Sequence, residues 1–320
     1  MEPSLDEFRA RLIDSGALEE TALRQFEAEL ADDERPASSD DLARLLVKRN
    51  RLTKYQAAHL YQGVESPLVC GNYVITDKIG FGGMGKVYKA EHRRLKRPAA
   101  IKLLPVKATE SRAAVRRFYR EVKAAARLKH PHIVLTYDAG DERGVPYFVM
   151  EYVDGPDLAT YIQNQGPLSP ELAIECVRQA ASGLAYAHAE GVIHCDIKPA
   201  NLLITWDGEG DSARPVVKVL DMGLAHLLAA SEADDGSSSA LGRQIVGSVD
   251  YISPEQADVR QTVDARSDVY SLGCTLYVML TARAPYSVKG ALQKVQAHRE
   301  SPVPDVRHRR PEIPDALAEA

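Results

Sequence analysis

Six residues, GFGGMG at 80–85, constrain this chain more than any other stretch. Gly80, Gly82 and Gly85 stand at G-x-G-x-x-G spacing, and glycine lets a backbone approach a polyphosphate with its N–H groups turned towards it. The spacing leaves two architectures open, because a dinucleotide-binding turn shares it. The residues on either side separate them. A dinucleotide turn opens a helix, whereas KVYKAE at 86–91 has the texture of a strand, as does YVITDKI at 73–79. The glycines are therefore expected in a turn between two strands.

A chain of 320 residues suits two domains, or one bilobal domain with an appendage. Hydrophobic residues make up 45% and charged residues 27%, an ordinary globular balance. The formal net charge of −5 gives no sign of a nucleic-acid binder. No apolar run approaches the length of a membrane span, and the start MEPSLDEFRARL has no apolar signal core. A cytoplasmic location is the expectation. Cys70, Cys176, Cys195 and Cys274 are widely spaced with no C-x-x-C pair, so reduced thiols are expected rather than disulfides or zinc.

Residues 1–62 read as helices. SLDE at 4–7 and TKYQ at 53–56 both fit a capping box, in which two side chains satisfy free N–H groups at a helix start. The stretch 8–26 also aligns with 42–60. Phe8, Leu12, Ile13, Leu18 and Phe26 match Leu42, Leu46, Val47, Leu52 and Leu60. Each copy is a helix, a break at Gly16 or Asn50, and a second helix, and two such hairpins can bury one shared face. A small packing or interaction module, able to hold a protein partner, is expected here. GVESPLVCG at 63–71 reads as a turn-rich linker. Beyond it come strands, including AAIKLL, IVLTYDAG and PYFVMEYV, with a helix over 111–128 between them. The remainder is mostly helical. SPELAIECVRQAASGLAYAHAEG starts with N-cap Ser169 and Pro170 and stops at Gly191, and LLIT with VVKVLDM forms a hairpin. A strand-rich lobe before a helical lobe predicts a ligand cleft between them.

The residue types carry a consistent chemistry. Lys102 lies in an apolar strand, where an unpaired ammonium is costly to bury, so phosphates and a carboxylate are its natural partners. Glu121 on the following helix is the candidate carboxylate. In HCDIKPAN at 194–201, Asp196 can accept a hydroxyl proton, Lys198 can neutralise a transferring phosphoryl group, and the Asn201 carboxamide oxygen can bind a metal. Asp221 in VLDMG supplies a second metal ligand 25 residues after Asp196, across the hairpin.

Taken in order, GFGGMG, AAIK, REVKAAARLKHPHIV, VMEYVDG, HCDIKPAN, DMG, GSVDYISPEQA and DARSDVYSLGC give residues 73 to about 310 a dense resemblance to protein kinases. The chain resembles the bacterial serine/threonine type that is similar to eukaryotic kinases. The resemblance implies an α+β, bilobal protein-kinase fold over 72–320, preceded by the small all-α module. It implies transfer of a phosphoryl group from ATP, with Mg2+ or Mn2+, to Ser or Thr hydroxyls of protein substrates in bacterial signalling. It also assigns roles. The loop of Gly80, Phe81, Gly82, Gly83, Met84, Gly85, Lys86 and Val87 would cover the phosphates. Lys102 would hold the α- and β-phosphates and pair with Glu121. Met150 would stand behind the adenine, with backbone groups of Glu151 and Val153 bonding its edge. Ile79, Val87, Ala100 and Leu203 would sandwich the ring, and Asp157 would meet the ribose. Ser248 would help position Asp196 and Lys198, and Asp268 would brace the loop from below.

Three departures from the family pattern stand out. Met222 replaces the usual Phe, and both are apolar. Cys195 replaces an Arg that in many kinases binds a phosphate on the activation loop, so activity is expected not to depend on phosphorylation within 231–248. The chain stops at PEIPDALAEA, where such kinases continue into further helices. On that ground Glu255 is expected without its arginine partner and the VYSLGCTLYVML helix partly uncovered. A binding or scaffold domain with weak or no catalysis is the alternative.

Overall fold

The fold was analysed in a computed structural model, which describes residues 2–64, 66–82, 85–104, 112–222, 249–258 and 261–319. The chain divides into two units, residues 1–110 with 137–152 and residues 111–136 with 153–320.

The first unit begins with four helices in two matching hairpins: α1 (Leu5–Asp14), α2 (Glu20–Ala28), α3 (Ser39–Lys48) and α4 (Lys54–Gln62). The capping boxes form as the sequence predicts. Ser4 Oγ accepts from the Glu7 N–H at 3.2 Å while Glu7 Oε2 accepts from the Ser4 N–H at 2.7 Å. Thr53 and Gln56 make the equivalent pair at the start of α4. The repeat extends to the backbone, since Gly16 (φ 67°) and Asn50 (φ 54°) both take the left-handed conformation at equivalent positions. Phe8, Leu12, Leu42 and Leu46 are fully buried between the hairpins.

Residues 63–71 are not a free linker. Val69–Cys70 forms strand β1, with Cys70 opposite Tyr73 and Val69 opposite Val74 on β2 (Tyr73–Gly82). Leu68 and Cys70 are 2% and 0% exposed, so the apolar residues of this turn-rich stretch are core residues. The sheet continues through β3 (Gly85–His92), β4 (Pro98–Leu103), β5 (Thr136–Glu142) and β6 (Val145–Glu151), in the order β1-β2-β3-β4-β6-β5. The helices and sheet share one hydrophobic core that runs from Phe8 and Leu46 to Ile75, Tyr88, Ile101 and Val149. Ala99, Ile101 and Leu103 of β4 enter this core from one face of the sheet, while Ala100 and Lys102, also buried, lie on the other face.

The second unit holds α5 (Arg112–Ala125), α6 (Leu158–Gln165), α7 (Pro170–Ala189), the hairpin β7 (Leu202–Asp207) with β8 (Arg214–Val219), α8 (Ala265–Thr281), α9 (Ala291–Glu300) and α10 (Asp315–Ala318). Ser169 caps α7 by accepting from the Leu172 N–H at 3.2 Å. Ala173, Cys176, Ala180, Leu184 and Ala187 then recur every three or four residues and are buried against β7, β8 and α8. The chain reaches the hairpin closely at Gly155, where a Cβ would lie 2.1 Å from the Ile204 carbonyl oxygen. Most apolar residues of α8 are covered, including Leu272, Val278, Met279 and Leu280, whereas Val269 is exposed. Glu255 is not left without a partner, because the Ser267 hydroxyl donates to Glu255 Oε1. Among the described residues, no helix is long and apolar enough to cross a membrane.

Candidate active site

The glycines occupy a strand-to-strand hairpin. Gly80 faces Val87, Phe81 faces Lys86 and Gly82 faces Gly85, and β3 runs on to His92 as a strand. Gly83 and Met84 lie outside the described residues. Lys102, on β4, faces Val87 on one side and Phe148 on the other. It is 5% exposed, and its Nζ lies 5.9 Å from the Phe148 ring centroid. Ala100 faces Met150, and Ala99 faces Glu151, which ends β6. Ile79 is 46% exposed.

In the second unit, Asp196, Lys198 and Asn201 converge. Lys198 Nζ donates to Asp196 Oδ2 at 2.7 Å. Asn201 Nδ2 donates to the Asp196 carbonyl at 2.7 Å and to Asp196 Oδ2 at 3.1 Å. Asp221 is drawn in by the backbone, since the Leu220 N–H donates to the Asn201 carbonyl at 2.9 Å, just beyond the first pair of the β7–β8 ladder. His194 fastens the same two segments. Its Nε2 donates to the Leu220 carbonyl at 2.7 Å, so its Nδ1 is the acceptor for the Asp196 N–H at 3.2 Å.

The loop is held from beneath by one carboxylate. Asp268, on α8 and 0% exposed, accepts from the His194 N–H at 2.8 Å, the Cys195 N–H at 2.7 Å and His188 Nε2 at 2.7 Å. These bonds clamp Cys195 in the left-handed conformation, φ 65°, which a non-glycine residue adopts only at a cost. The Cys195 side chain is buried, and burial together with the Asp268, Asp196 and Glu121 carboxylates pushes its thiol up to about 12. The position thus carries a neutral packing residue. Gln256 completes the support by donating from Nε2 to the Cys195 carbonyl at 2.7 Å.

His188 and Gln256 had no sequence signal as supports. His188 sits in the last turn of an amphipathic helix, and Gln256 in SPEQA. Other expected residues lie as follows. Glu121 is half-buried on α5. Leu203 is half-buried on β7, and Asp157 bridges to it. The Asp157 carboxylate also caps α6, with Oδ1 accepting from the Thr160 N–H and Oδ2 from the Thr160 hydroxyl. Val153 begins the second unit's stretch 153–320. Met222 is buried in the second core. Ser248 and residues 231–247 lie outside the described residues.

The donors available to a metal are the Asn201 carboxamide oxygen and the Asp221 carboxylate. The Asn201 amide nitrogen is committed to Asp196, which leaves its oxygen for a ligand. Both are hard oxygen donors of the kind that suit Mg2+ and Mn2+. No group of three or more His, Cys, Asp or Glu side chains arranged for a metal occurs among the described residues. Two protein oxygens fit an ion whose remaining ligands come from phosphates and water.

A glycine hairpin beside a buried strand lysine, together with an Asp-Lys-Asn loop on a buried Asp, defines the protein-kinase class. The family model described as "Protein kinase domain" matches residues 73–315. The chain belongs to that family, and its relatives are bacterial serine/threonine kinases similar to eukaryotic ones. It is 41% identical over 242 residues to serine/threonine-protein kinase PknB of Mycobacterium tuberculosis, covering 74% of this chain and 37% of that protein. It is 37% identical over 249 residues to serine/threonine-protein kinase PrkC of Bacillus subtilis, covering 78% of this chain and 36% of that protein. The crystal structure of the M. tuberculosis PknI kinase domain matches with a TM-score of 0.57 and 26% identity, covering 78% of this chain and 86% of that one. The chain thus spans little more than a third of the length of the curated relatives it matches.

Proposed function

We propose that this chain transfers the γ-phosphoryl group of ATP to Ser or Thr hydroxyls of protein substrates in bacterial signalling. The observation that carries the reading is the Asp196, Lys198 and Asn201 constellation, bonded together at 2.7–3.1 Å on a loop clamped by Asp268.

Asp196 receives the hydroxyl proton as the substrate oxygen attacks the γ-phosphorus, and the bond from that phosphorus to the bridging β,γ-oxygen breaks, releasing ADP. Lys198 serves two partners. It orients the Asp196 carboxylate in the resting site and offsets negative charge on the phosphoryl oxygens during transfer. A lysine two residues after Asp196 is also what the resemblance to the serine/threonine class leads one to expect. Asn201 and Asp221 would hold a divalent ion, Mg2+ or Mn2+, which would neutralise phosphate charge. The residues 80–87 cover the phosphates with backbone N–H groups. By the family resemblance, Lys102 would meet the α- and β-phosphates, with Glu121 as its carboxylate partner. By the family resemblance, Met150, Glu151, Val153, Ile79, Val87, Ala100 and Leu203 would be the residues that meet the adenine. Asp157 meets the ribose with whatever accepting capacity the helix cap leaves it. Ser248 steadies Asp196 and Lys198. The supply of ATP assigns the reaction to the cytoplasm.

The test is incorporation of label from γ-labelled ATP by the wild type, Lys102→Ala and Asp196→Asn. The wild type should label itself or a generic acceptor such as dephosphorylated casein, and both variants should lose at least about 99% of that rate. Equal incorporation by all three proteins would sink the reading.

A further inference from the structure

The start of α4 does more than end a helix turn. Strand β2 spends ten residues where β3 spends eight, and the register slips twice, leaving Thr76 and then Ile79 without an opposite residue on β3. Each slip is a bulge, which bends a strand and increases its twist. The second lies immediately before Gly80 and the first three residues earlier on the same strand. The direction in which the glycine hairpin leaves the sheet is therefore set by how these bulges are held.

The first bulge is held by the capping box of α4. Thr53 Oγ1 accepts from the Gln56 N–H at 3.1 Å and donates to the Thr76 carbonyl at 2.6 Å. Gln56 Oε1 accepts from the Thr53 N–H at 2.8 Å, while its Nε2 donates to the Ile75 carbonyl at 2.7 Å. Each side chain uses its acceptor on its own helix and its donor on the bulge. Gln56 is buried, so the Ile75 bond is shielded from water. The Thr76 hydroxyl reaches across the bulge to the Lys89 carbonyl at 3.2 Å, which ties the clasped residue to β3 as well. Thr76 precedes Gly80 by four residues, about 13 Å of strand.

We propose that Thr53 and Gln56 are positioning residues for ATP: through the bulge at Thr76 they fix the trajectory of the glycine hairpin that covers the phosphates. Residues 1–62 are on this account a built-in support of the nucleotide site. The proposal rests on the ATP reading of residues 80–87 given above. Coupling of this kind is reciprocal, so nucleotide on the hairpin must also steady the first turn of α4.

Two substitutions keep the cap and break the clasp. Asp is as good an N-cap as Thr but has no hydrogen to give the Thr76 carbonyl. Glu completes a capping box as Gln does but cannot donate to the Ile75 carbonyl. In the full chain, Thr53→Asp and Gln56→Glu should each raise the Kd of a fluorescent ATP analogue and the KM for ATP about fivefold, the worth of one hydrogen bond. The KM for casein should stay within about twofold of wild type, and Thr53→Ser, which retains both bonds, should restore wild-type values. In unmodified protein, the ATP analogue should slow amide exchange at residues 54–57 as well as in 80–87. Wild-type nucleotide affinity in both clasp variants would overturn the proposal, as would unchanged exchange at 54–57 when 80–87 become protected. A loss of affinity in Thr53→Ser equal to that in Thr53→Asp would overturn it too. The function reading fails separately, if wild type binds the analogue but transfers no label.

Discussion

Replacing Asp268 by Asn changes one atom and tests whether the catalytic loop is held in a conformation it would otherwise leave. Asp268 is fully buried and accepts three N–H bonds. Oδ2 takes those of the His194 backbone and His188 Nε2, and Oδ1 takes that of the Cys195 backbone. A hydrogen bond to a charged group contributes about 1.5–3 kcal/mol. The Asn oxygen can keep the two bonds now made by Oδ2, but its NH2 then faces the Cys195 N–H, donor against donor. The expected loss of stability is about 2–3 kcal/mol, a large share of the roughly 5–15 kcal/mol that holds a protein folded. The freed group is also the one that clamps Cys195 at φ 65°. Left-handed backbone costs a non-glycine residue about 1–2 kcal/mol, so Cys195 should relax once released and carry Asp196 with it. Misplacement by about 1 Å can lower a rate about a hundredfold. Urea denaturation and steady-state kinetics on Asp268→Asn should show the stability loss together with a kcat reduced about 10- to 100-fold, while the Kd for ATP changes less than about twofold. Loss of stability with an unchanged kcat would show that the clamp is structural only and refute the reasoning. Unchanged stability would refute it earlier.

Two further outcomes follow from the packing. Gly155→Ala puts a Cβ 2.1 Å from the Ile204 carbonyl oxygen, a backbone atom that cannot swing aside, so thermal unfolding should begin lower by about 5 °C, as overpacking by about 1–3 kcal/mol requires. Wild-type melting would mean that the 155–204 approach is looser than described. The thiols of Cys70, Cys176, Cys195 and Cys274 are buried and, chiefly through that burial, each pushed up to about 12. A disulfide reagent attacks through thiolate, so at pH 8 it should find no fast equivalent in native protein and four after unfolding. A rapid equivalent in native protein would contradict the burial.

What could be read from the sequence was whatever a short stretch decides by itself. The glycine hairpin was legible because strand texture continues on both sides of Gly80 to Gly85. The helical repeat was legible because Gly16 and Asn50 break the same apolar pattern at the same place. Strand β1 was not, since two residues carry no period, and Leu68 and Cys70 are strand and core only through the partner they meet. Nor could Glu255 be read. The family pattern directs attention to an arginine for it, whereas the bond the structure shows comes from the Ser267 hydroxyl, twelve residues on.

Cys195 shows why the remainder stayed hidden. As a letter it is a lost guanidinium, a statement about the side chain. In the fold the position matters through its backbone, whose N–H is held by a carboxylate 73 residues later and whose carbonyl is held by an amide 61 residues later. Thr53 and Gln56 divide in the same way. Each has one bond to its own helix turn, which obeys a spacing rule and can be read, and one to a carbonyl 19 or 23 residues away, which obeys none. Polar side chains with both a donor and an acceptor can serve local and distant structure at once. Sequence motifs record the local half. The distant half is the one that, in this chain, reaches the strand leading to the glycine hairpin and holds the Asp196 loop.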